Sequence, residues 1–148
     1  MNNYPIIKLR KGKDEAVRRY HPWIFSGAIE TAAPNLQAGD TVTVVDSKNN
    51  VLGTGFAEAG NIAVKILAFE NRKIDADFWK ERLAKAFELR KMMGLTDNEH
   101  TNCYRLVHSE GDNLPGLIID IYGRTAVIQA QTEGMALNVK NISDALLK

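Results

Sequence analysis

The sequence predicts a mixed α+β chain, a small β pseudo-barrel in the first half followed by a smaller α/β unit. Three observations predict it. Several short strand-like runs, broken by close turns, fill most of residues 1–72. A long helical stripe then opens residues 73–148, and three more strand-like runs precede a second stripe. Of 148 residues, 45% are apolar and 25% charged, enough to fold round a core rather than stay disordered.

The elements follow in order. Ile6 to Arg10 starts extended, and after Gly12 a brief helix runs from Asp14 to Tyr20. Asp14 is placed to cap it, since its carboxylate can accept the free N–H groups of a first turn. Pro22 keeps His21 out of the helical region, so the helix ends there. Beyond the loop Ala33-Pro-Asn35, Thr41 to Asp46 is a strand whose Val42, Val44 and Val45 predict burial on both faces. Ser47-Lys-Asn-Asn50 supplies turn chemistry, and Val51 to Ala57 returns as a hairpin partner. Gly60-Asn61 turns the chain again into a strand from Ile62 to Phe69.

Composition changes at the all-polar stretch Glu70-Asn-Arg-Lys73, read as the linker between domains 1–72 and 73–148. Asp75 to Met93 is the clearest helix. Trp79, Leu83, Ala86, Phe87, Leu89 and Met93 form its core-facing stripe, with acids at its start, Arg90 and Lys91 at its end and Gly94 closing it. Strands are predicted at Cys103–Ser109, Leu117–Tyr122 and Thr125–Thr132, the first two flanking the loop Glu110-Gly-Asp-Asn-Leu-Pro-Gly116. The last helix spaces Met135, Val139, Ile142 and Leu146 along one face. The chain then stops at Lys148 without a capping glycine, which predicts a truncated second domain.

The totals exclude some classes. No apolar run approaches the ~20 residues of a membrane span, and the first residues carry no secretory cleavage site. The single Cys103 rules out an internal disulfide framework, and a cytoplasmic protein is expected. Net charge is only +1, but residues 1–25 hold six basic and two acidic residues, a local balance of +4. Residues 73–148 hold ten basic and eleven acidic residues, a balance of −1. A basic front suits an anionic partner, although a solvated charged face also satisfies the count.

Chemistry-bearing motifs are few. Gly53, Gly55 and Gly60 have the wrong spacing for a phosphate-cradling loop, and no helix follows them, so hairpin packing explains them better. His100, Cys103 and His108 make a poor metal set, because strand alternation sends Cys103 and His108 to opposite faces. Cys103 is read instead as a buried or half-buried thiol. No nucleophilic triad is legible. His108, Glu110 and Asp112 gather round one loop and could do acid–base work, but turn-forming chemistry alone accounts for acids there. The strongest local signal is the stretch from Lys11 to Phe25, where cations can neutralise phosphates and His21 can stack on bases. Trp23 and Phe25 are read as core before RNA platform.

Two stretches carry a family resemblance. Gly12 to Ser26, above all His21-Pro-Trp-Ile-Phe-Ser26, resembles the start of a PUA domain, a pseudo-barrel that binds structured RNA. Gly39-Asp-Thr-Val-Thr-Val-Val-Asp46 with Val51-Leu-Gly-Thr-Gly55 resembles its middle strands. The hairpin Tyr104-Arg-Leu-Val-His-Ser-Glu-Gly-Asp-Asn-Leu-Pro-Gly-Leu-Ile-Ile-Asp-Ile-Tyr-Gly123 resembles a signature of S-adenosylmethionine-dependent methyltransferases that modify cytosine at carbon 5 in large-subunit ribosomal RNA. The resemblance implies a PUA domain, a central α/β domain and then a Rossmann-like catalytic domain. Nothing here matches that last domain, so no Rossmann domain, catalytic residue, metal site or cofactor is expected in this chain. S-adenosylmethionine would bind in the absent domain, and Cys103 does not inherit the nucleophile's role.

The resulting expectation is an RNA-gripping, substrate-orienting region with ribosomal RNA as partner. Lys8, Arg10, Lys11, Lys13, Arg18, Arg19 and His21 are its RNA-binding residues. His108, Glu110, Asp112 and Asn113 form a domain-docking or RNA-facing loop. A stand-alone RNA adaptor and a module that dimerises through its PUA surface or an unpaired strand edge are the rival readings, and a homodimer through residues 103–148 is expected of the isolated chain.

Overall fold

A computed structural model describes residues 2–147, which divide into two compact units with the boundary between Lys73 and Ile74. In the first, β1 (Ile6–Leu9), β2 (Trp23–Phe25), β3 (Ile29–Ala32), β4 (Thr41–Val45), β5 (Val51–Ala57) and β6 (Ile62–Ala68) form one sheet in the order β2-β6-β5-β4-β1-β3. The β1–β4 pair is parallel and every other pair antiparallel. The two outermost strands, β2 and β3, are joined in sequence by a 3-10 turn of three residues, Ser26–Ala28. A sheet whose edges are tied that closely has to curl on itself. Ile7, Leu9, Val17, Ile24, Val42, Val44, Leu52, Val64 and Ile66 then meet in one core.

Local chemistry explains the parts. β4 is buried along almost its whole length, as its valines require. Asp46 ends it by accepting the N–H groups of Lys48 (2.8 Å) and Asn50 (2.9 Å), while Asn49 turns the chain at φ 66°. Gly55 lies so close to β6 that a Cβ there would sit 2.2 Å from the carbonyl oxygen of Lys65. β2 and β3 escape the sequence reading because they are short and lack clean alternation.

The first helix, α1, is only Glu15–Arg18. Asp14 does not cap it: its carboxylate is drawn sideways by the Arg18 guanidinium, and its own backbone lies near the helical region. Tyr20, at φ 64°, ends the helical stretch before Pro22 is reached.

In the second unit α2 (Ala76–Met92) precedes an antiparallel sheet of β7 (Cys103–His108), β8 (Leu117–Tyr122) and β9 (Thr125–Ala130). Asp75 caps α2 through Phe78 N–H (3.1 Å), and Gly94 closes it at φ 75° with Leu95 N–H donating to Arg90 O. The buried stripe of α2 is Trp79, Leu83, Ala86 and Arg90, with Phe78 beside it. Phe87, Leu89 and Met93, expected on that stripe, are 41–62% exposed.

The last stripe divides into α3 (Glu133–Leu137) and α4 (Val139–Leu146), broken at Asn138. Thr132 caps α3 through Met135 N–H. Met135 and Ile142 are fully buried, while Val139 and Leu146 on the same stripe are half-buried. No helix is long and apolar enough to cross a membrane among the described residues.

Candidate nucleic-acid interface

The chain leaves β1 through a tight turn. Lys13 N–H donates to Arg10 O (3.0 Å), Gly12 sits at φ 78°, and Arg10 N–H donates to Ala28 O (2.8 Å). That turn holds Arg10, Lys11 and Lys13 in solvent. Lys8 precedes them on β1, half-buried between the inward Ile7 and Leu9. Among the described residues none of these four cations takes part in an ion pair, so all four charges are available to an anionic ligand.

Arg18 and Arg19 are placed differently. Arg18 binds Asp14 through Nε and Asp46 through Nη2 at 2.8 Å, and Arg19 binds Glu15 at 2.9 Å. The Asp14 hydrogen bond raises the Arg18 pKa. Asp46 is held down to about 2, chiefly by the Asn50 side-chain amide and backbone N–H, then by Lys48 N–H and the Arg18 charge. Around α1 three carboxylates therefore answer two arginines. The local excess of positive charge resides in Lys8, Arg10, Lys11 and Lys13.

Beyond α1 the aromatic residues turn outward. Alternation along β2 buries Ile24, leaving Trp23 half-buried and Phe25 52% exposed. Trp23 is thus not the core residue the sequence suggests; Ile24 takes that place. His21 Nδ1 accepts the Trp23 N–H at 3.1 Å, and the two rings meet edge to face at 5.9 Å. Lys65, the cross-strand partner of Trp23 on β6, places Nζ 5.7 Å from the indole centre. Sequence reading missed Lys65, because nothing local announces the strand pairing that brings residues 23 and 65 together.

The loop after β7 is built from the inside. Asp112 accepts both terminal nitrogens of Arg90, at 2.6 and 2.7 Å, and also the His108 N–H at 2.6 Å. Its side chain is only 5% exposed, so it faces the unit's interior. Ser109 Oγ donates to Glu110 and accepts Gly116 N–H at 2.9 Å, while Asn113 lies exposed at φ 57°. His108 is exposed, and its Nδ1 lies 3.3 Å from Arg105 Nη1. The Arg105 guanidinium pairs in turn with Asp120, whose hydrogen bond raises the arginine's pKa.

The His108–Arg105 approach corrects the alternation expected from sequence. A register irregularity between Arg105 and Val107 brings His108 to the face of Arg105, and hence of Cys103 two residues earlier. Cys103 is an exposed free thiol rather than a buried one. Among the described residues no group of three or more metal-binding side chains forms.

Comparison with known proteins bears on both units. Residues 7–69 match the PUA-like domain family. The chain is 38% identical over 130 residues to a ribosomal RNA large subunit methyltransferase I of Alteromonas mediterranea, covering 86% of this chain and 32% of that protein. The protein of that name from Klebsiella pneumoniae is 32% identical over 145 residues, covering 97% of this chain and 36% of its own length. The chain thus spans about a third of the length of the curated relatives it matches. A solved structure from Streptococcus mutans, described as a SAM-dependent methyltransferase, superposes with a TM-score of 0.79 at 17% identity, over 95% of this chain and 36% of the other. That likeness concerns the fold.

Proposed function

From a chain that carries a PUA-like domain at residues 7–69 and is homologous over most of its length to ribosomal RNA large subunit methyltransferase I, we propose an RNA-gripping, substrate-orienting region of an rRNA cytosine-C5 methyltransferase. The observation that carries the reading is the turn of Arg10, Lys11 and Lys13 with Lys8 beside it. These four cations without protein counter-charges lie within the PUA-like domain. These side chains would displace condensed counterions from the RNA phosphates, giving binding that depends steeply on salt. The second unit would help present the RNA.

Among the described residues, Gly53 and Gly55 do not fit as a cradle for S-adenosylmethionine, the methyl donor of such enzymes. A Cβ at Gly53 would meet Ala68 O at 2.7 Å and one at Gly55 would meet Lys65 O, so both glycines serve strand packing and leave no room for a ligand. On this reading the residues of this chain bind and orient the RNA.

A chimera tests the proposal. The corresponding third of the Alteromonas relative is replaced by this chain, and methylation of large-subunit RNA is followed. Activity that persists, and falls when Arg10, Lys11 and Lys13 become Ala, supports the reading. A folded chimera indifferent to those substitutions removes the RNA grip from this surface. A folded, RNA-binding chimera without methylation favours a stand-alone adaptor.

A further inference from the structure

We propose that the outer face of β2 stacks an unpaired nucleobase on the indole of Trp23, so that the bound RNA is single-stranded where it crosses this strand. The inference rests on the RNA-binding reading above and names the form of RNA that it takes.

The rings are concentrated and turned outward. Four occur within the six residues 20–25: Tyr20, His21, Trp23 and Phe25. Tyr20 is 74% and Phe25 52% exposed, and Trp23 is half-buried, whereas Phe56, Phe78 and Trp79 are at most 1% exposed. Trp23 and Phe25 share the outward side of β2 because Ile24 between them fills the core. His21 meets the indole in a T-shaped contact, 5.9 Å between ring centres, which orders the ring.

Charge selects the occupant. Lys65 Nζ lies over one face of the Trp23 ring, which leaves the base the opposite face. The unpaired cations of the 10–13 turn are tied to the chain three residues beyond Phe25, through Arg10 N–H to Ala28 O. Rings that offer π faces, flanked by cations without counter-charges, suit a polyanion that carries flat aromatic groups. A duplex keeps those groups within its stack, and an apolar protein surface leaves the cations unanswered. A single RNA strand satisfies both.

Intrinsic fluorescence gives a direct test. The chain has two tryptophans, and Trp79 is fully buried, so quenching on binding reports Trp23. The 148-residue chain is titrated with a single-stranded RNA oligonucleotide, a duplex of equal length and inorganic polyphosphate. Quenching by the single strand alone is expected. Trp23→Leu should weaken that binding about 5- to 160-fold, the range one base–aromatic stack supplies, with the salt slope unchanged. Phe25→Leu, at an exposed position, should weaken it less and serves if Trp23→Leu fails to fold. Lys11→Ala with Lys13→Ala should do the reverse, flattening the slope and keeping the quench. Single-stranded RNA that binds without quenching, or binds a folded Trp23→Leu variant as it binds the parent, overturns the stacking platform while RNA binding stands. Failure to bind any RNA removes both.

Discussion

Arg90 and Asp112 form a two-bond pair that fastens the last turn of α2 to the loop between β7 and β8. Both side chains are at most 10% exposed, and Arg90 Nε also donates to Arg105 O at 2.9 Å. A guanidinium fork satisfied on all these sides can occupy a buried stripe that would otherwise call for an apolar residue.

Breaking the pair from one side strands a buried charge. Arg90→Met and Asp112→Ala should each destabilise the second unit by about 3–5 kcal/mol. The double variant should cost less than the sum of the two, because each change removes the other's unpaired partner. Urea melts of the four proteins measure the coupling, and strictly additive losses would show that the fork contributes little.

Gly55→Ala should destabilise the barrel by at least the ~1–3 kcal/mol typical of overpacking, since backbone rather than a yielding side chain stands in the way. Gly53→Ala meets Ala68 O at 2.7 Å and should behave similarly. At Gly27 a Cβ meets nothing within 4 Å, so Gly27→Ala is the control and should melt like the parent.

Among basic residues, pairing decides the outcome. Removing one cation that binds a phosphate should flatten the log–log salt slope by about 0.7–0.9. Lys11→Ala with Lys13→Ala should show this fully. Arg18→Ala with Arg19→Ala should flatten it less, because those charges are already answered by Asp14, Asp46 and Glu15. Equal flattening in the two double variants would mean that RNA displaces the α1 ion pairs.

Asp46 gives the first unit an acid limit. Its folded pKa of about 2 lies below the ordinary 3.8, so the stabilisation is complete above that ordinary value and is lost as pH falls toward 2. Asn50→Ala removes the largest of the interactions that hold the carboxylate ionised. Thermal melts between about pH 5 and pH 2 should show a smaller loss on acidification in that variant, which has less stabilisation to lose.

Much of this was legible from residue patterns. The valines of β4, the turn at Ser47–Asn50, the acids at the start of α2 and the glycine at 94 are local signals, and local signals survive without knowledge of the fold. What escaped was decided at a distance. Arg90 reads as a cation suited to a helix end until Asp112, 22 residues on, turns it inward. Trp23 reads as core until the pairing with β6 gives that place to Ile24 and sets Lys65 beside the ring. For the interface the cations were visible in sequence, but which of them carry a free charge was not. That depends on carboxylates as distant in sequence as Asp46.

The short 3-10 turn joining β2 to β3 has a kinetic consequence. Strands of three and four residues offer few ladder bonds, so the seam they form is the barrel's natural point of breathing. Amide protons of residues 23–32 should exchange with solvent sooner than those of β4 and β5, and Trp23 lies within that opening segment. A ligand that settles on β2 would therefore clasp the barrel shut as it binds. The gain would register as slowed exchange along both edges of the sheet, including residues that the ligand never touches.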